Sequence, residues 1–479
     1  VAGIVSYGAY IPFSRMKRQV FSDFWGGFPM PGERAVAGFD EDSLTMAVES
    51  GMDCMKGTDP KTVDGLFFAT TTSPYKQWLC SSIMAVALDM RDDIRTMDIT
   101  GALRCGTTAV AAGLDAIEAG SMKSVLVTAG DSIMGEPGSI YEQALGDGGA
   151  ALLLGSEGAI AIIEGSCHIS DDFAGMWRAD GDQYLRSWEE RMVWDRGYSE
   201  ILPQAISGLM NKYELAPSDV SKVVYDGPHD LRRHLKVAST LKLDAAQVQD
   251  PLFLNVGNAG CALAMMMLVA ALEEAKGGDR IIFASYGNGA DAFLLRVTPE
   301  IEKLRNRRGI KQHLASKRMI DNYASFVKWR KLVQMDQSRG AGFHGPTSVS
   351  AQRREHKIIL GLMGAKCRVC GTPQYNQERS TTPTRICVRC QAKDQFEDYR
   401  FADRKAKIFS FTQDNLAAYP DPPVTLTVVD FDGGGRALFE MTDRDPNEIV
   451  VGMPVEMAFR KVSVEGGIHN YYWKTRPTR

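Results

Sequence analysis

The sequence predicts an α/β layered protein built by duplication, followed by a metal-binding ribbon and a small all-β barrel. Three observations predict it. Apolar strand runs alternate with alanine-rich helical stretches up to about Pro299, two internal segments align without a gap, and a late bunch of four cysteines is followed by short alternating runs. At 479 residues the chain is too long for one ordinary core, so two or three domains are expected.

"VAGIVSYGAYIP" reads as the first strand. It lacks the basic start and small-residue cleavage site of a signal peptide, and no apolar run reaches membrane-spanning length, so a cytoplasmic protein with no membrane partner is expected. "GLFFAT", "SVLVTAG", "AALLLG", "KVVYDG" and "RIIFASYG" are the further strand runs. The duplication rests on "CGTTAVAAGLDAIEAGSMKSVLVTAG" from Cys105 and "CALAMMMLVAALEEAKGGDRIIFASYG" from Cys261. Each reads as a small-residue helix start, an apolar helix, a glycine turn and a strand.

Residues 1–299 form the expected first domain and residues 300–360 a connector. From Glu300 to Lys357 the chain carries fourteen Lys and Arg against five Asp and Glu, with "MIDNYASFVKWRKLV" helical and "SRGAGFHGPTSVS" loop-like. A solvated connector with amphipathic helices is the preferred reading. Docking of a partner or of an anionic cofactor tail stays open. The formal charge of −4 and a pI near 6.1 argue against a general nucleic-acid binder.

Residues 361–395 hold Cys367, Cys370, Cys387 and Cys390, two CxxC pairs sixteen residues apart. That spacing predicts two knuckles closing a tetrahedral Zn²⁺ site. With every position taken by protein sulfur, the zinc is expected to be structural, and a redox dithiol is the alternative. Residues 396–479 contain "KIFSFTQ", "VTLTVVDF", "RALFEMT" and "PVEMAFRKV", separated by turn signals, which predicts a barrel of five or six strands. "DGGG" near Gly433 reads as a hairpin turn, because no helix pattern follows it.

Cys105 stands where a strand gives way to a Gly/Ala-rich helix, and a thiolate there is favoured by unpaired N–H groups and the helix dipole. Taken alone it reads as a buried structural thiol. Two other residues change that reading. His229 follows a strand in "YDGPHDLRRH", and Asn258 leads into the second repeat helix in "LNVGNAGCALAMM". If the repeats pack about a pseudo-twofold axis, thiol, imidazole and carboxamide share one pocket suited to acyl transfer and enolate stabilisation.

These residues resemble the thiolase superfamily, in particular the branch of 3-hydroxy-3-methylglutaryl-CoA synthase in its archaeal form and of ketoacyl synthase III. The resemblance lies in "GIVSYGAYIPFSR", "DEDSLTMAVESG", "TTTSPYKQW", the Cys105 stretch, "GDGGAALLLG", "VGNAGCAL" and "GDRIIFASYGNGADAF". It implies a thiolase-like, five-layered α-β-α-β-α fold, a homodimer, and acyl-CoA thioesters as substrates. It also implies an acyl-cysteine at Cys105, completion of the site by His229 and Asn258, and an oxyanion hole from the backbone near Cys105 and the loop of Gly287 and Gly289.

The sequence departs from the family at two places. Thr71 stands where the synthase has its general acid/base glutamate, which turns the expectation from aldol-type towards Claisen-type chemistry. A register anchored on Pro228 would place Asp226 at the histidine position, spacing to Asn258 favours His229, and His234 is a weaker substitute. The C-terminal part resembles the DUF35 family, a zinc ribbon followed by an OB-fold, whose stand-alone members bridge a thiolase and a synthase. A thiolase-family partner is therefore expected, and docking is preferred over nucleic-acid binding for this barrel.

The expected function is an acyl-CoA condensing or cleaving enzyme acting through acyl-Cys105. The alternatives are a non-catalytic or weakly catalytic scaffold that docks a partner thiolase, and an acyltransferase to a small-molecule nucleophile.

Overall fold

A computed structural model describes residues 2–173, 175–227, 229–305, 307–334, 347–375 and 385–479. The chain forms two compact units, one of residues 1–37, 42–85 and 90–323, the other of residues 38–41, 86–89 and 324–479. The segment expected to be a connector is thus shared between them, with its early part in the first unit. Its loop-like "SRGAGFHG" lies outside the described residues.

The first unit is built on a nine-stranded sheet. Its strands are β1 (Gly3–Tyr10), β2 (Gly65–Ala69), β3 (Arg95–Ile99), β4 (Ser124–Asp131), β5 (Gly148–Gly155), β6 (Ala161–Ser170), β7 (Lys222–Tyr225), β8 (Arg280–Tyr286) and β9 (Gly289–Val297). Their order is β7-β8-β9-β6-β1-β5-β4-β2-β3.

The duplication is visible in the pairing. In one half β2 runs parallel to β4, β4 antiparallel to β5, and β5 antiparallel to β1. In the other half β7 runs parallel to β8, β8 antiparallel to β9, and β9 antiparallel to β6. The halves meet where Gly3 pairs with Ile162 and Ile4 with Ala161. Only the edge strand β3 lacks a counterpart in this series.

The helices fill three layers around the two half-sheets. They are α1 (Ser43–Met55), α2 (Cys105–Glu118), α3 (Ser199–Lys212), α4 (Leu231–Thr240) and α5 (Leu263–Glu274). Strand side chains alternate in direction, and the core follows that alternation. Ile281 and Phe283 of β8 join α2 and α5 in the central core, whereas Ile282 and Ala284 pack with Leu202, Ile206 and Leu209 of α3. Helix α1 lies against β1, β4 and β5. The sequence of layers is therefore α-β-α-β-α, with α2 and α5, the two repeat helices, in the middle. They pass closely: a Cβ on Gly106 would stand 2.6 Å from the carbonyl oxygen of Cys261.

In the second unit, α6 (Val349–Gly361) leads into a three-stranded ribbon of β10 (Met363–Cys367), β11 (Pro373–Gln374) and β12 (Phe396–Arg400). Five antiparallel strands follow, β13 (Ala406–Asp414), β14 (Val424–Phe431), β15 (Arg436–Glu440), β16 (Pro454–Glu465) and β17 (Ile468–Pro477). Their order is β15-β14-β13-β16-β17, and a bridge between Met441 and Thr475 brings the two edges together. The expected barrel is present with five strands. Its last strand, β17, was not among the runs singled out in the sequence. Asp432–Gly435 is the expected hairpin turn, with Gly433, Gly434 and Gly435 all at positive φ.

Inside this unit Lys474 is buried 2.9 Å from Asp40 and also contacts Glu440. Burial lowers its pKa, yet the two carboxylates more than offset this and hold it above the usual lysine value.

Candidate active site

Cys105 opens α2 and is 2% exposed. The chain enters the helix through Gly101 at φ +104°, and the Cys105 N–H donates to Ala102 O at 3.0 Å. The Thr107 hydroxyl lies 2.8 Å from both Arg104 O and Asp291 Oδ2. The Arg104 guanidinium donates to Asp291 Oδ1 at 2.6 Å and to Gly287 O at 2.8 Å. These bonds stitch the β8–β9 loop to the residue just before Cys105. A Cβ on Gly287 would stand 2.7 Å from Arg104 N, so glycine is what permits the approach. The Gly287 N–H itself donates to Gly289 O at 2.9 Å.

From the other repeat, Cys261 brings its thiol against that of Cys105. Burial first, and the Cys105 side chain second, push the Cys261 pKa well above the ordinary thiol value. Cys261 therefore keeps its proton, and it lies 3.5 Å from Ala69 O. Its backbone N–H donates to Asp131 Oδ2 at 2.9 Å.

His229 sits on the loop between β7 and α4, one-tenth exposed. Its Nε2 is 2.9 Å from Glu190 Oε1. The same oxygen accepts the Trp194 indole N–H at 3.1 Å, and the rings of Trp194 and Tyr141 meet the imidazole edge-to-face at 5.7 and 5.8 Å. Burial lowers the His229 pKa more than Glu190 and Asp230 raise it, which favours the neutral ring. Neutral imidazole donating Nε2–H to the carboxylate keeps Nδ1 as an acceptor. Trp194 lies in Val193–Tyr198, a stretch wound as a π-helix, a form that recurs at functional sites.

The two other groups weighed for the histidine position are placed elsewhere. The Asp226 carboxyl accepts from Ser285 Oγ at 2.9 Å and from Tyr286 N–H at 3.1 Å, and burial pushes its pKa up to about 7. It anchors the loop that carries His229. His234 is inside α4, its ring against Tyr225 at 4.4 Å, with its pKa pushed down to about 4 by burial.

Asn258 precedes the second repeat helix. Its Oδ1 accepts the Gly260 N–H at 3.0 Å, and its Nδ2 reaches Gly227 O at 3.4 Å on the His229 loop. His229 and Asn258 line one cavity of about 330 Å³ of empty space, its mouth included. Leu103, two residues before Cys105, lines the same cavity, as do Ile133, Tyr141, Met176, Leu185 and Trp194.

Thr71 is set back in a cluster of hydrogen bonds around Asp131. Its hydroxyl donates to Asp131 Oδ2 at 2.9 Å and its N–H to Oδ1 at 2.8 Å. Its carbonyl accepts from Arg178. Cys105, Thr71, Gly287 and Gly289 are not among the residues lining the cavity.

Sequence reasoning missed Glu190, Tyr141 and Trp194. A signal was available in "WEERMVWDRGY", where Glu190 and Trp194 are four residues apart and share a helical face.

In the second unit the Sγ atoms of Cys367, Cys370, Cys387 and Cys390 all lie within 4.8 Å of one another. Cys367 and Cys390 are 3.6 Å apart, and Cys370 and Cys387 are 3.5 Å apart. Tetrahedral zinc with Zn–S bonds of about 2.3 Å requires S···S edges of about 3.8 Å. The donor set fits that ion. Both knuckles have the same backbone: Gly371 N–H donates to Cys367 O and Gln391 N–H to Cys387 O, each at 2.9 Å, and Gly371 and Gln391 are both left-handed.

Comparison with known proteins agrees with this architecture. The family model of the ChsH2 C-terminal OB-fold domain matches residues 399–460. A hydroxymethylglutaryl-CoA synthase of Pyrobaculum calidifontis is 31% identical over 348 residues, spanning 98% of that protein and 70% of this chain. One from Methanocaldococcus jannaschii is 30% identical over 347 residues, spanning 100% of that protein and 70% of this chain. Among solved structures, MvaS in complex with 3-hydroxy-3-methylglutaryl coenzyme A superposes with a TM-score of 0.62 at 18% identity, covering 72% of this chain and 94% of that one. The 3-oxoacyl-[acyl-carrier-protein] synthase III of Aquifex aeolicus gives a TM-score of 0.55 at 20% identity, covering 62% and 100%.

Proposed function

The chain belongs to the hydroxymethylglutaryl-CoA synthase family of condensing, acyl-transferring enzymes within the thiolase superfamily, and from that premise we propose that it joins or cleaves acyl-CoA thioesters by Claisen-type chemistry through an acyl group carried on Cys105. What supports this reading is that His229 and Asn258 line one cavity with Leu103, two residues before Cys105, Cys105 itself not being among its lining residues.

In the proposed reaction Cys105 Sγ attacks the thioester carbonyl carbon of an acyl-CoA. The C–S bond to coenzyme A breaks, and CoA leaves as its thiol. A second acyl-CoA then loses the proton α to its carbonyl, and the carbanion attacks the acyl-cysteine. Its collapse breaks the S–C bond and returns Cys105. Run backwards, the same steps split a β-ketoacyl-CoA with free CoA. His229 takes and returns the α-proton, with Glu190 holding its Nε2 side. The Asn258 carboxamide steadies the enolate oxygen. Cys261 stays protonated beside the nucleophile, its S–H donated to Ala69 O. The amides of Cys105 and Gly287 already make turn bonds of 3.0 and 2.9 Å, so a bound oxyanion shares them.

Claisen rather than aldol chemistry follows from the fate of the alkoxide. After Claisen addition it expels the Cys105 thiolate and needs no acid, whereas an aldol alkoxide must be protonated. At the position of the family's glutamate this chain offers the Thr71 hydroxyl, and that hydroxyl is donated to Asp131.

We include in the proposal a structural Zn²⁺ held by Cys367, Cys370, Cys387 and Cys390, a homodimer, and a thiolase-family partner for the ribbon and barrel. A reducing compartment is supported by the cysteines, none of which is paired in a disulfide. Among the described residues no helix is long and apolar enough to cross a membrane.

Intact-mass spectrometry after incubation with a panel of acyl-CoAs tests the reading. An adduct that disappears in Cys105→Ala supports it. No adduct with any thioester overturns it in favour of the scaffold reading, and transfer of the acyl group to an added small-molecule nucleophile in place of a second acyl-CoA would favour the acyltransferase.

A further inference from the structure

We infer that Asp291 is a positioning residue for the acylation step, holding the residues on both sides of Cys105 so that its thiol is presented in one geometry. The inference rests on the acyl-cysteine reading above and adds to it a residue that acts through others. Asp291 stands on β9, on the strand face shared by Phe293 and Leu295, which enter the central core. Strand alternation calls for an apolar residue there, yet the position holds a carboxylate that is 2% exposed. Taking a carboxylate out of water is costly unless charged or polar donors meet it. Among the described residues three do. Arg104 Nη1 lies 2.6 Å from Oδ1, His168 Nδ1 lies 2.8 Å from the same oxygen, and the Thr107 hydroxyl lies 2.8 Å from Oδ2.

Two of these donors bracket the nucleophile. Arg104 immediately precedes Cys105, and Thr107 follows it by two residues within the first turn of α2. Arg104 is the N-cap residue of that helix, and its side chain makes no capping bond but reaches across to β9 instead. Its Nε donates to Gly287 O at 2.8 Å, so one planar group ties the helix start to β9 and to the β8–β9 loop at once. The third donor, His168, is the residue paired with Asp291 across β6 and β9, and its Nε2 is 3.0 Å from Ser166 Oγ. The carboxylate is thereby held by the sheet on one side and holds the helix on the other. A buried ion pair adds little stability over well-packed apolar groups, so what this one supplies is a set direction for the first turn of α2. A misplacement of about 1 Å can slow a reaction roughly 10²-fold, so a tether on each side of the residue that carries the sulfur bears directly on rate.

The test is a time course of Cys105 acylation, read by intact mass on the full chain. Acetyl-CoA, isovaleryl-CoA and benzoyl-CoA are supplied separately, each over a range of concentrations. Each reaction forms one S–acyl bond on Cys105 and releases one CoA as its thiol. Asp291→Asn keeps the shape of the side chain and removes its charge. It is expected to lower the maximal acylation rate at least about ten-fold, while the half-saturating thioester concentration moves by less than about two-fold. Arg104→Lys keeps the charge but not the planar fork, and is expected to show the same split. It also serves as the second variant should Asp291→Asn fail to fold, as judged by circular dichroism. Rates are taken per folded molecule, below the melting transition of each variant, so that a loss of stability alone leaves them unchanged. A wild-type maximal rate in the folded variants, or a loss confined to half-saturation, would overturn the inference and leave the acyl-cysteine reading standing. No adduct on the wild type with any of the three thioesters would overturn both.

Discussion

Nε2 of His229 lies 2.9 Å from Oε1 of Glu190, an oxygen that also accepts the Trp194 indole N–H. A histidine so held has a fixed ring orientation and a defined tautomer, which is what proton transfer to or from one chosen atom requires. The carboxylate reaches His229 from a segment well away from Thr71.

Glu190→Gln is accordingly expected to lower kcat by roughly 10²-fold with little change in KM. Acylation of Cys105 should persist, because the first half-reaction uses the thiol. Steady-state kinetics and intact mass on the same preparation check this, and Glu190→Asp should restore part of the loss. A Glu190→Gln enzyme with wild-type kcat would remove Glu190 from the mechanism.

Gly287→Ala is expected to slow Cys105 acylation by at least about ten-fold, since the new Cβ presses on the backbone nitrogen of Arg104 at 2.7 Å and shifts the start of α2. Thermal melting should show the fold retained. Unchanged acylation would mean that the loop yields without disturbing Cys105.

Asp226 links the site to pH. Burial pushes its carboxyl up to about 7, while the unfolded chain releases that proton near pH 4. Between those values the folded state binds more protons than the unfolded state, so this group makes stability fall as pH rises from about 4 to about 7. In Asp226→Asn that contribution is gone. Urea midpoints measured across this window should fall less steeply for the variant than for the wild type, and parallel slopes would refute the assignment.

Elemental analysis should find about one zinc per chain, lost in a Cys367→Ser/Cys370→Ser variant. Hydrogen exchange across Met363–Cys367 and Phe396–Arg400 should then quicken, because the pairing of these strands is held at the ends by the knuckles. A metal-free wild type with the same slow exchange would show that the ribbon needs no ion.

Much of the fold was legible because its signals are local. The strand runs and the two repeat helices carry their periodicity in a few consecutive residues, and the CxxC pairs encode their knuckles directly. Cys105, His229 and Asn258 could be picked out because each sits at the junction of a strand or loop with a helix. Tyr141 could not, since nothing in its neighbourhood says that the chain will fold back over His229, and the spacing of Glu190 and Trp194 signals a shared helical face without naming the histidine it meets. The same holds for Asp226, whose role depends on the Tyr286 N–H sixty residues later, and for β17, whose polar-aromatic "IHNYYWKTRP" gains its meaning only when the barrel closes.

Asp131 closes β4 and gathers hydrogens from both repeats: the hydroxyls of Thr70, Thr71 and Thr72, the N–H of Thr71, and the N–H of Cys261. An amide at that position would turn its own hydrogens toward some of these donors. The two repeats, already joined along the sheet and by Arg104 to Asp291, are thereby also clasped at this carboxylate. Removing the carboxylate would release three threonine hydroxyls and two backbone amides at once, so a change there is felt on both sides of the duplication.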